Sequence, residues 1–160
     1  METRKVYLVE DDWNVSVIYT TKESWLESLR YNLDEELEET EEEYLEETTE
    51  KVNKLYDDMK SGLLKHSDWV NAWWYSHSEV DVFYEDENVM LVSHYHQTGN
   101  KEVVSIYFKD NDTYTTDMNE GACITENDED IEIEDTLKKY INKTNVNYQA
   151  IIKDLREYWR

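Results

Sequence analysis

Alternation of apolar and polar positions dominates the first twenty residues. Residues 5–9 (KVYLV) and 14–20 (NVSVIYT) change sides at every step and are rich in β-branched side chains, with polar EDDW between them. That pattern predicts an N-terminal β-hairpin. The period then changes. Thr20 with Glu23 has the spacing of a capping box, so a helix is expected to start there. Leu26, Leu29, Leu33, Leu37, Thr40, Tyr44, Thr48, Val52, Leu55 and Met59 follow one another in steps of three and four. Their mean step of about 3.67 residues is close to an untwisted helix. Gly62 after Ser61 supplies a stop. The stripe predicts one helix over about 22–60, while Asn32 with Glu35 and Thr40 with Glu43 are internal capping boxes that leave a two-helix division open. A rod of that length measures about 58 Å, against about 40 Å for a compact chain of this size, so part of it is expected to project.

Further along, Trp69, Val70, Trp73 and Trp74 fall at i, i+1, i+4 and i+5, which predicts a short helix over 67–76. Alternation returns in 79–85, 88–96 and 102–109, joined by DEN and QTGNK, the latter carrying Gly99. Residues 113–117 and 122–125 suggest two shorter strands, and 133–142 and 146–159 two helices. The expected fold is α+β: an antiparallel β-sheet of an N-terminal hairpin and a three-stranded meander, with a long acidic helix and C-terminal helices, in a single domain over residues 1–160.

Charge changes this picture most. Eleven of the seventeen residues from Asp34 to Glu50 are acidic and none is basic, within a chain of net charge −23. On a continuous helix Glu35, Glu39, Glu42 and Glu46 form one outward row, and Glu36, Glu43, Glu47 and Glu50 a second. The spacing is about one charge per 2.3 Å of axis, against about 1.7 Å for duplex DNA. A charge run on a helix is ordinarily a solvated face that aids solubility. Here it lacks the lysines that usually alternate with glutamate, and the like-charge neighbours cost about 0.2–0.5 kcal/mol each until a basic partner neutralises them. Asp128, Glu129 and Asp130 begin a second acidic cluster. Nucleic acid and anionic membrane are repelled by such a chain, so the expected partner is a basic protein surface. Trp74 and Tyr75 are candidate aromatic anchors for its arginines.

Catalytic chemistry leaves few traces. Three glycines cannot make a phosphate loop, and no C-x-x-C, H-E-x-x-H or G-x-S-x-G occurs. The acidic stretches beginning at Asp110 and Asp128 lack the glycine and closing glutamate of a calcium loop. His94 and His96, two apart on an expected strand, are the only metal-ligand candidates, and such pairs are usually inert. No cofactor, no metal and no enzymatic activity are expected. The lone Cys123 and the lack of any apolar run of about 18 residues fit a reducing cytoplasm, and the Lys-, Asn- and Tyr-rich composition fits a bacterial cell or its phage.

In size, acidity, Tyr and Trp content and scarcity of cysteine, the chain resembles the DNA-mimic inhibitors of phages and mobile elements, the antirestriction and anti-CRISPR proteins. That resemblance is one of class, carried by no shared motif. It implies a non-enzymatic inhibitor that occupies the nucleic-acid groove of a nuclease or other defence enzyme. Immunity proteins against toxin nucleases have a similar composition. Two other readings compete: a self-assembling module pairing copies through Leu33, Leu37, Tyr44, Val52 and Leu55, and a metal enzyme built on His94 and His96.

Overall fold

The computed structural model describes residues 4–11, 15–62, 70–72, 75–96, 101–117 and 123–160. Its strands are β1 (Arg4–Asp11), β2 (Val15–Tyr19), β3 (Val70–Ala72), β4 (Tyr75–Glu85), β5 (Val89–His96), β6 (Lys101–Asp110), β7 (Thr113–Asp117) and β8 (Cys123–Ile124). Its helices are α1 (Lys22–Glu39), α2 (Leu45–Lys60), α3 (Asp130–Tyr140) and α4 (Tyr148–Tyr158), with a 3₁₀ turn at Glu42–Tyr44. The first hairpin, the three-stranded meander, the two shorter strands and the two last helices lie where the sequence predicts them.

The sheet is not an open meander. β1 pairs with β2 on one edge and, over its whole length from Arg4↔Val82 to Asp11↔Tyr75, with β4 on the other. β2 in turn pairs with β7 through Val15↔Asp117 to Ile18↔Tyr114. The order β1-β2-β7-β6-β5-β4 therefore returns to β1 as a six-stranded antiparallel barrel. β3 pairs with β4 at Tyr75–His77 and β8 with β6 at Val104–Ser105, where β5 and β7 respectively leave an edge uncovered. The DEN turn is fixed by the Asp86 side chain, whose Oδ1 accepts from the Asn88 and Val89 amides at 2.7 and 3.0 Å.

Three apolar clusters follow from the strand alternation. Val6, Leu8, Ile18, Val80, Val82, Met90, Val92, Tyr107 and Tyr114 fill the barrel. Val89, Leu91, Val104 and Ile106, on the opposite faces of their strands, meet Ile133, Leu137, Ile151 and Leu155 of α3 and α4. Val9 on the outer face of β1 meets Trp25, Leu29 and Leu33 of α1 and Val52 and Met59 of α2, with Tyr7 stacked on Trp25 at 4.8 Å.

The single rod expected over 22–60 is two helices. Thr40 and Glu41 are extended, and the chain turns back so that α1 and α2 share one core. Arg30 joins them, donating to Asn53 at 3.2 Å and lying over the Tyr56 ring. The physical reason is burial. A straight continuation would leave Val52 and Met59 in water, forfeiting about 1.5–3 kcal/mol each. Breaking the helix gives up a few ladder hydrogen bonds worth about 1 kcal/mol net apiece, partly offset by Thr40 Oγ1 donating to the Glu36 carbonyl at 2.6 Å. The break also moves Glu46 and Glu47 from mid-helix to the first turn of α2, at the positive end of its dipole. Thr40 thus ends a helix instead of capping a new one.

Two further expectations are corrected. The N-cap is Thr21, whose Oγ1 accepts from the Ser24 amide at 3.1 Å, not Thr20. The helix expected over 67–76 is replaced by strand at Val70–Ala72 and from Tyr75 onward, because pairing with β1 and β4 outweighs the local tryptophan spacing. Trp69, Trp73 and Trp74 lie outside the described residues. The stop at Gly62 stands: its φ is +91° and its amide donates to the Met59 carbonyl at 3.1 Å.

Candidate functional site

The acidic segment forms the far end of the α1–α2 hairpin. All seven residues from Glu41 to Glu47 are exposed. Tyr44 and Leu45 sit among them at 52% and 41% exposure, an apolar pair flanked in the chain by Glu41, Glu42 and Glu43 on one side and Glu46 and Glu47 on the other. Because the chain folds back, the two rows of glutamate do not run on in line. Glu35, Glu36 and Glu39 lie on α1, Glu42 and Glu43 in the 3₁₀ turn, and Glu46, Glu47 and Glu50 on α2. Among the described residues, the chain's own cations neutralise little of this end. Glu47 pairs with Lys51 at 3.0 Å, and among the described residues no ion pair reaches Glu39, Glu42, Glu43, Glu46 or Glu50. Glu35 engages the Tyr31 hydroxyl, which holds that phenol above its ordinary pKa.

The second cluster is used differently. Asp128 Oδ2 accepts from the Thr125 amide at 2.8 Å, and Asp130 pairs with Arg156 at 2.8 Å. Arg156 also donates to the Glu126 and Asp128 carbonyls, so this turn is tied to α4. Glu129 remains exposed before α3. Tyr75 is partly buried against the hairpin core, and Trp74 lies outside the described residues. Leu33 and Val52, offered as contacts between copies, are buried inside the hairpin. His94 and His96 lie on β5 opposite Val103 and Lys101; their side chains are outside the described residues. Among the described residues, no group of three His, Cys, Asp or Glu is placed to hold a metal ion, and no helix is long and apolar enough to cross a membrane.

A feature the sequence reading missed lies inside the barrel. Val6, Leu8 and Glu10 share the inward face of β1, so a carboxylate continues an apolar row. Its cross-strand partners are Ser16 on β2 and Ser76 on β4, and Ser16 is in turn opposite Thr116 on β7. One register row at this end of the barrel therefore reads Ser, Glu, Ser, Thr across four adjacent strands. Ser16 also hydrogen-bonds with the buried Tyr107 hydroxyl, whose pKa burial drives far upward. Ser105 Oγ lies 3.3 Å from Cys123 Sγ on the neighbouring pair of strands. Burial raises the Glu10 carboxyl to about 7, and nothing among the described residues pairs with it. The available signal was the alternation itself, since extending KVYLV by one residue puts Glu10 in phase with Val6 and Leu8.

On the outer face of β4, His77 is fully buried beneath α1. Its Nδ1 accepts from Trp25 Nε1 at 3.0 Å, which fixes the neutral tautomer with the proton on Nε2. Nε2 has no partner among the described residues, and burial lowers the imidazole pKa to about 4. This pair anchors the helical hairpin to the barrel wall. Comparison of the chain with protein-family models, with curated proteins and with solved structures found no match.

Proposed function

We propose that the protein is a non-enzymatic inhibitor that docks the far end of its α1–α2 hairpin into a basic groove of a nucleic-acid-binding protein, in the manner of antirestriction and anti-CRISPR proteins. The observation that carries this reading is the exposed Tyr44–Leu45 pair flanked by five exposed glutamates, of which only Glu47 is in an ion pair among the described residues. Charge repulsion there is left standing in the free protein, and a Lys- or Arg-lined surface removes it on binding. The aromatic ring supplies a stacking face for arginine, so the contact is not held by charge alone. Folding back replaces a long polyanionic rod with a compact acidic knob, which suits a groove or a phosphate-binding pocket better than a full duplex channel. Glu35, Glu36, Glu39 and Glu50 flank the knob and steer the partner, while Asp128, Glu129 and Asp130 belong to a separate surface. The target is expected in the cytoplasm of a bacterial cell.

The test compares the proteins retained by the wild type with those retained by Glu42→Gln/Glu43→Gln/Glu46→Gln, at about 50 and 300 mM salt, with and without competing duplex DNA. The reading requires a nucleic-acid-binding protein that the wild type holds at low salt, that DNA displaces, and that the variant loses at least tenfold. Retention of the same proteins by the variant overturns it.

A further inference from the structure

We propose that the polar end of the barrel is a binding site for a small organic cation, an amine or a guanidinium, with Glu10 as its counter-ion. The site is separate from the helical hairpin, and its failure leaves the docking reading untouched.

Several observations converge on it. Ser76, Glu10 and Ser16 are aligned in one row by backbone pairing of three adjacent strands, so the row does not depend on one flexible side chain. The apolar cluster inside the barrel, among the described residues, is made of valine, leucine, isoleucine, methionine and two tyrosines. A carboxylate placed there without a cation costs stability, whereas apolar Leu8 and Val6 occupy the positions two and four residues earlier on the same strand. The cations nearest along the chain are committed elsewhere: Lys5 pairs with Asp81 and Arg4 with Glu85.

The chemistry around Glu10 favours an N–H donor. From β2 and β4 it is faced by the Ser16 and Ser76 side chains, and from β6 by Tyr107. Among the side chains the structure describes, Tyr107 and, on β8, Cys123 are the other titratable groups acting at this end of the barrel, where β5 also carries His94 and His96. Hydroxyls and one carboxylate form a set of acceptors matched to an ammonium or guanidinium, which brings three to five donors and one positive charge. An anion is refused twice, by Glu10 and by the net charge of −23, and the same charge raises the local concentration of cations. Mouths of barrels with apolar walls and a few convergent polar groups are ordinary small-ligand sites. Binding has a proton signature. The free carboxyl is about half protonated at pH 7, and a bound cation holds it ionised, so uptake of the ligand releases roughly half a proton there.

Amide and carboxyl NMR on the intact protein tests this, with putrescine and agmatine as probes in about 150 mM salt to suppress loose association with exposed glutamates. We expect saturable shifts at Glu10, Ser16, Ser76 and Tyr107, and a fall of at least one unit in the Glu10 titration midpoint when either probe saturates. Glu10→Gln, with its amide spectrum showing the fold intact, weakens binding at least tenfold. Ser16→Ala, which keeps the carboxylate, weakens it less and serves if Glu10→Gln does not fold. Shifts confined to residues 35–50, affinity unchanged by Glu10→Gln, or a Glu10 midpoint unmoved by both probes would each overturn the assignment.

Discussion

Replacing Glu10 by glutamine isolates the energetic consequence of a carboxyl inside the barrel. Burial raises this group from 4.5 to about 7. The folded state therefore holds the proton more tightly than the unfolded chain. The contribution to stability is complete below about pH 4.5 and is lost as pH rises through about 7. A shift of roughly 2.5 units at 1.36 kcal/mol per unit amounts to about 3 kcal/mol across that window. Glutamine is nearly isosteric and does not titrate, so the variant lacks this slope. The assay is urea denaturation of both proteins from pH 4.5 to 8. Repulsion among surface carboxylates changes with pH in both and cancels in the difference. Stability of the wild type relative to Glu10→Gln should fall by about 3 kcal/mol over the window and level off above pH 8. A difference that is constant with pH would show that Glu10 is solvated like a surface residue, and the account of the polar row would fail with it.

Two further outcomes follow from the packing. His77 should remain neutral until about pH 4, so its stabilising effect is present above 6.5 and is lost as pH falls toward 4; an imidazole NMR titration with a midpoint near 6.5 would contradict its burial against Trp25. Met59→Ala should cost about 2–5 kcal/mol by chemical denaturation, because Met59 closes the core shared by α1 and α2, and a loss under 1 kcal/mol would mean the hairpin is not held by that core.

Local pattern located nearly every strand, because β-branched residues in strict alternation leave little choice of period. Closure was not legible. It depends on β1 pairing with β4 and β2 with β7, partners separated by about seventy and a hundred residues, and a strand's own sequence does not say which edge it will meet. The helix break was hidden for a different reason. Thr40, Tyr44 and Thr48 keep the phase of the stripe without being apolar enough to be buried, so a rod and a hairpin share one periodicity. Only Val52 and Met59, which need a partner surface, distinguish them, and that surface is Leu29 and Leu33 of the same chain. Residues 75–82 alternate Tyr, His, Glu and Asp outward with Ser, Ser, Val and Val inward, a pattern whose serines masked the strand's inner face. The candidate docking residues were visible as a charge run, but their arrangement in space depended on the break.

The closed ring also dictates when the fold can be completed. Strands β1 and β2 are made before the other strands of the barrel, yet β1 lacks β4 until residue 85 is made and β2 lacks β7 until residue 117. Until then the pair is a lone two-stranded ribbon, marginal in water, with both outer edges unoccupied. Assembly is governed by distant partners and so belongs to the millisecond-to-second regime of non-local topologies. During synthesis the helical pair is the first unit able to cover one side of that ribbon, through Trp25 against Tyr7.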